Sequence, residues 1–134
     1  MTTRTIPCGA LKPLYDRHSA EYDEAALRVL RSGWYIMGKE TEAFEKGFAA
    51  YVGASCCIGM NSGLDALVLA LRALGIAPGD EVIVQGNTFI ATVLAITANG
   101  GTPVFVEPDD CHGIDSEAVH RALTSRTRAI MAVH

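Results

Sequence analysis

Residues 61–84 read NSGLDALVLALRALGIAPGDEVIV, and the punctuation of this stretch decides the fold. Asn61-Ser62-Gly63 makes a turn, and Ser62 followed three residues later by Asp65 matches a helix-capping pair. An apolar helix then runs from Gly63 to Leu74 and stops at Gly75. Pro78-Gly79-Asp80 turns the chain into a strand, Glu81 to Val84. Upstream, the short apolar run Cys56-Cys57-Ile58-Gly59-Met60 predicts a preceding strand. Downstream, Gln85-Gly86-Asn87 leads into a helix from Thr88 to Asn99, closed by Gly100-Gly101. Val104 to Val106 is a third strand, Asp115 caps a helix through Leu123, and Ala129 to Val133 is a fourth strand. Strands alternating with helices of about three turns imply successive β-α-β units. The strands are apolar throughout, as they are when helices cover both faces of a sheet. The fold class is therefore α/β, a mostly parallel sheet with flanking helices.

The first part of the chain obeys different rules, so the sequence divides into residues 1–53 and residues 54–134. Residues 1–18 carry two prolines and a glycine without a clean period, and predict an extended arm. From Ser19 to Arg31, Tyr22, Ala25, Ala26, Val29 and Leu30 recur at helical spacing, with Ser19 as N-cap and Gly33 as stop. The loop Trp34-Tyr35-Ile36-Met37 lies between Gly33 and Gly38. A second helix runs from about Glu40 to Tyr51, with Phe44, Phe48 and Tyr51 on one face.

Composition excludes several functions. The 134 residues hold 11 Lys and Arg against 15 Asp and Glu, a formal net charge of −4. Affinity for nucleic acids comes mainly from clustered Lys and Arg, so neither a nucleic acid nor an anionic membrane surface is expected as partner. With 49% apolar and 19% charged residues the chain is not disordered. That apolar content is high for a small domain, which implies that part of the surface is covered by something else. No signal segment is visible at the start, and the apolar stretch from Ala66 to Ala77 is too short to cross a bilayer. The cysteines Cys8, Cys56, Cys57 and Cys111 lack metal-ligand spacing and read as buried, reduced thiols of a cytoplasmic protein, with no metal site. The sequence stops at His134, directly after a strand that reads as buried, and is expected to be the front part of a larger protein.

Two segments carry possible chemistry. The turn before the helix at Gly63 exposes the N–H groups of Gly63 and Leu64, where the helix dipole favours a phosphate. Glycine there lets a ligand approach the backbone, although an ordinary capped helix accounts for the motif taken alone. It is neither a dinucleotide fingerprint nor a Walker loop. Gln85-Gly86-Asn87-Thr88-Phe89 follows the next strand at the same edge of the sheet, where open parallel sheets bind ligands. Phe89, placed in the first helical turn, is a candidate to stack on a flat heteroaromatic ligand or a simple core residue. Trp34 and Tyr35, held between glycines, suit a binding loop or a loop folded onto the core.

Four blocks together resemble the DegT/StrS family of sugar aminotransferases, which use pyridoxal phosphate. They are GWYIMGKETEAFEKGFAAYVG from Gly33, IGMNSGLDALVLALRALGIAPGDEVIV from Ile58, NTFIATVLAITANGGTPVFVEPD from Asn87, and the terminal AIMAVH. The resemblance implies the start of the large domain of a type I pyridoxal-phosphate transferase. It implies that Ser62, Gly63 and Leu64 hold the cofactor phosphate, that Phe89 stacks on the pyridine ring, and that Trp34 and Tyr35 line the substrate side. Leu64 stands where the family usually has Thr, so a hydroxyl contact is absent. The implied partners are a nucleotide sugar, an amino-acid donor and a second copy of the chain. The family's Schiff-base lysine and the aspartate paired with its pyridinium nitrogen fall downstream of His134. No catalytic residue is therefore expected within this chain, which by itself is expected to be inactive. A sugar dehydratase of the same family and a non-catalytic binding module are the alternative readings.

Overall fold

The computed structural model describes residues 9–133. In chain order its elements are α1 (Lys12–Arg17), α2 (Ser19–Ser32), α3 (Lys39–Val52), α4 (Gly63–Ala73), β1 (Glu81–Gln85), α5 (Ile90–Ala98), β2 (Thr102–Val106), α6 (Ser116–Ala122) and β3 (Thr127–Met131). The described chain divides between Gly59 and Met60 into two compact units.

The second unit is built around β1, whose five residues are all buried. The sheet order is β2-β1-β3, and both pairings are parallel. Ile83 lies opposite Val104 on one side and Ile130 on the other. Successive strand side chains point to opposite faces, and β1 uses both. Val82 and Val84 pack with Leu71, Ala95 and Ile96 of α4 and α5, while Ile83 packs with Val106 and with Ala118 of α6. Ile83, Ile96, Val82 and Val84 are the largest fully buried side chains. Each contributes about 1.5–3 kcal/mol of apolar burial relative to exposure. This is the parallel α/β arrangement that the sequence implies, with helices on both faces.

The first unit holds α1, α2 and α3. Gly33 and Gly53 close α2 and α3 in left-handed conformation, with φ of 67° and 72°. Arg28 on α2 makes a two-pronged ion pair with Glu40 on α3, at 2.8 and 3.2 Å. Tyr15 stacks on Tyr22 with ring centroids 6.1 Å apart, which seats α1 on α2.

Several expectations are corrected. Cys56–Met60 forms no strand: the run has no ladder partner among the described residues, and an apolar run becomes a strand only when another strand pairs with it. Ile58 is accordingly 68% exposed. Part of the expected arm is helical, because Pro13 in the first turn of α1 is preset for a helix; residues 1–8 and His134 lie outside the described residues. Ser19 is the first residue of α2 rather than its cap: His18 occupies the cap position, without a side-chain bond. Phe89 precedes α5 as its N-cap instead of sitting in the first turn. Against the expectation of buried thiols, Cys56 and Cys111 are exposed and Cys57 is half-buried.

Candidate functional site

The start of α4 is a reciprocal cap. Ser62 is extended, and its Oγ accepts the Asp65 N–H at 3.1 Å while its hydroxyl donates to Asp65 Oδ2 at 2.9 Å. Asn61 Nδ2 donates to the same carboxylate oxygen at 3.0 Å. These bonds, first from Asn61 and then from Ser62, hold the Asp65 carboxyl below its ordinary range. The first turn of the helix closes when Ala66 N–H reaches the Ser62 carbonyl at 3.0 Å. The N–H groups of Gly63 and Leu64 precede that bond and have no acceptor within the helix. A Cβ added at Gly63 would meet no other atom within 4 Å, so the space beside this backbone is open.

Phe89 faces the same space. It is 77% exposed, with φ −65° and ψ 141°, and makes no side-chain cap bond. A hollow of about 760 Å³ is lined by Ser62, Gly63 and Leu64 from the start of α4 and by Phe89, Ile90 and Thr92 from the start of α5. This is within the size range of small-molecule pockets, about 300–1,000 Å³. Its chemistry is two-sided, with backbone donors at one end and aromatic and aliphatic carbon over the rest. Such a hollow suits an anion attached to a flat aromatic ring. The residues therefore fit pyridoxal phosphate. Ser62 is the exception, since its hydroxyl is already committed to Asp65 as both donor and acceptor.

Trp34 and Tyr35 belong to the first unit. Their rings are 61% and 64% exposed, so neither is folded into a core. Trp34 Nε1 donates to the Ile36 carbonyl at 2.7 Å, and the Tyr35 hydroxyl donates to the Leu30 carbonyl at 3.2 Å. Both line a separate hollow of about 490 Å³ together with Arg28, Lys39 and Glu40. The Arg28 guanidinium, through hydrogen bond and charge, holds the Glu40 carboxyl below its usual range. The sequence passed over Thr92 and Gln85. Both are buried polar residues; Thr92 lines the hollow beside α4, and Gln85 closes β1 after the apolar run Val82–Val84, the only signal the sequence held for it. Among the described residues no group of three or more His, Cys, Asp or Glu could hold a metal ion, and no helix is long and apolar enough to cross a membrane.

Comparison with known proteins bears on this arrangement. A family model described as the DegT/DnrJ/EryC1/StrS aminotransferase family matches residues 16–134. The dTDP-3-amino-3,6-dideoxy-alpha-D-galactopyranose transaminase of Aneurinibacillus thermoaerophilus is 53% identical over 130 residues, covering 96% of this chain and 36% of that protein. The crystal structure of S. venezuelae DesV in complex with a ketimine intermediate is similar with a TM-score of 0.91 at 52% identity, covering 98% of this chain and 36% of that one. A structure of ntda from Bacillus subtilis with bound cofactor pmp gives a TM-score of 0.81 at 32% identity, covering 100% of this chain and 32% of that one. The chain thus spans about a third of the length of the relatives it matches.

Proposed function

This chain belongs to the DegT/DnrJ/EryC1/StrS aminotransferase family, and on that premise we propose that it forms the N-terminal portion of a pyridoxal-phosphate-dependent aminotransferase acting on a nucleotide-linked keto sugar, with an amino acid as donor. The observation that carries the reading is the hollow that gathers Gly63, Leu64 and Phe89. Pyridoxal phosphate, when bound, supplies an electron-withdrawing ring that eases proton loss from the carbon bearing the transferred nitrogen.

The chain's own residues bind and orient. The N–H groups of Gly63 and Leu64 hold the phosphate end, favoured by the positive end of α4. Ser62 keeps the turn in shape through Asp65, so backbone donors take the anion. With Leu64 in place of a hydroxyl residue, one side-chain contact is absent and the backbone share is larger. Phe89 offers a ring face to the heterocycle, and Leu64, Leu67 and Ile90 add apolar surface beside it. Trp34 and Tyr35, exposed and rimming their own hollow, are assigned to the substrate. The lysines Lys12, Lys39 and Lys46 lie on α1 and α3, and none lines the hollow beside α4. The amine chemistry of transamination is assigned to sequence outside these 134 residues. The Aneurinibacillus relative, a dTDP-amino-sugar transaminase by name, supports the choice of substrate class.

Amide spectra of the isotope-labelled chain, titrated with pyridoxal phosphate and separately with inorganic phosphate, test the binding. The expected result is saturable shifts at Gly63 and Leu64 with both, and at Phe89 with pyridoxal phosphate alone. Shifts confined to residues before Met60 would overturn the assignment. The reaction is tested by joining this chain to the remainder of the Aneurinibacillus protein. A folded chimera that binds the cofactor yet transfers no amino group from glutamate to a dTDP-linked keto sugar would sink the aminotransferase reading.

A further inference from the structure

Gln85 ends β1 with a side chain that an apolar strand does not require. It is 3% exposed, and a buried amide needs partners. Its Nε2 donates to Asn87 Oδ1 at 3.0 Å and to the His112 carbonyl at 3.1 Å, and its Oε1 accepts the Val133 N–H at 3.2 Å. Asn87 Nδ2 donates to the same His112 carbonyl at 3.1 Å. One amide thereby joins the end of β1, the connection into α5, the turn after β2 and the chain leaving β3. His112 has φ 65°, a left-handed conformation uncommon outside glycine. Two donors on its carbonyl help to hold it, and the Asp109 carboxylate closes the turn by accepting the N–H groups of Cys111 and Gly113 at 2.9 and 2.8 Å.

Phe89 lies two residues beyond Asn87. An exposed ring is not fixed by its own packing, so its place depends on the backbone on either side. The Thr88 and Thr92 hydroxyl oxygens, one on each side of it in the chain, lie 2.9 Å apart, and Thr92 is buried. Among the described residues, the side-chain tether that ties the connection back to the end of β1 and to the His112 turn runs through Asn87 to Gln85 and His112. We propose that Gln85 is a positioning residue for the cofactor ring. It clamps the connection that carries Phe89 against the His112 turn, so the Phe89 ring meets the hollow already ordered. The proposal rests on the hollow being the pyridoxal phosphate site. Without the clamp, ordering of the connection would be charged against binding.

Three variants test it. Gln85→Glu keeps an acceptor for the Val133 N–H but loses both donations; Gln85→Leu loses all three bonds; Asn87→Ala, at an exposed position, loses only the outer tether. Backbone order parameters at Thr88 and Phe89 and the Kd for pyridoxal phosphate are measured together. In Gln85→Glu the order parameters should fall from about 0.85 toward 0.6 and Kd should rise about tenfold, with Val82, Ile83 and Val84 unchanged. Asn87→Ala should shift both readouts in the same direction, and it carries the test alone if neither Gln85 variant folds. Unchanged order at Phe89, or lost order with wild-type affinity, would overturn the proposal. Phe89→Ala separates the two ideas. If it binds pyridoxal phosphate like the parent chain, or if the parent does not bind, the reading of the hollow fails, and a positioning role toward this cofactor falls with it; the order parameters then report only whether Gln85 holds the connection.

Discussion

An alanine at position 63 separates two reasons for a glycine. Gly63 does not have positive φ, and a Cβ there would touch nothing within 4 Å, so neither strain nor crowding within the chain requires it. Alanine also suits a helical turn better than glycine. Gly63→Ala should leave the melting temperature unchanged or raise it, by up to about 1 kcal/mol of stability. Phosphate affinity should fall about tenfold, the size of one weakened charge-assisted hydrogen bond. A melt together with a phosphate titration checks both halves, and unchanged affinity would remove the case for an anion at this backbone. Gly100 is the opposite case. Its φ is 78°, and a Cβ would lie 2.8 Å from Pro78 Cγ. Gly100→Ala should cost about 1–3 kcal/mol, read as a lower denaturant midpoint with an unchanged slope. Both glycines stand out in the sequence as turn markers, but only coordinates tell which one is held by its neighbours and which one faces open space.

Elements were legible in proportion to how local their causes are. The cap at Ser62, the stop at Gly33 and the cap at Asp115 each depend on residues within four positions, and each forms as read. The run Cys56–Met60 forms no strand because pairing needs a partner from elsewhere in the chain, and five consecutive residues do not say whether one lies alongside. The role of Gln85 was invisible for a related reason: two of its three partners lie 27 and 48 residues away. The join of β1 to β3 has the same long reach. Glu81, 6% exposed at the head of β1, accepts the Thr124 hydroxyl at 2.5 Å and Arg126 Nε at 2.9 Å. Thr124 first, and then Arg126, hold its carboxyl below the usual range. A lowered folded-state pKa gives stability that is present above the ordinary carboxylate range, about pH 4, and lost as pH falls through the lowered value. Unfolding midpoints should therefore be flat above about pH 5 and drop below pH 4. Glu81→Gln should lower the midpoint by several degrees at neutral pH and flatten that acid slope, as seen in melts across a pH series. An equal acid slope in the variant would move the effect to other carboxylates.

At the scale of the whole molecule, the exposed apolar surface is the dominant fact. Trp34, Tyr35, Ile36 and Met37 are each more than 60% exposed and consecutive in sequence, and in the second unit Phe105 and Ile130 are 57% and 51% exposed. Apolar patches beyond a few hundred Å² usually find a partner or aggregate. Sedimentation should therefore show concentration-dependent dimers or larger species, and Trp34→Ser should shift the distribution toward monomer. A monomer across the whole concentration range would count against the homo-oligomer that the family resemblance implies. Inside the second unit, the alternation along β1 has a genetic corollary. Val84 presses toward α4 and α5, and Ile83 presses toward α6. Residues that share no contacts contribute nearly additively, whereas packed neighbours couple. Second-site suppressors of a damaged Val84 should therefore arise in α4 and α5, those of a damaged Ile83 in α6 or β2, and the two sets should rarely exchange, so that a single strand divides the domain into two neighbourhoods that can mutate independently.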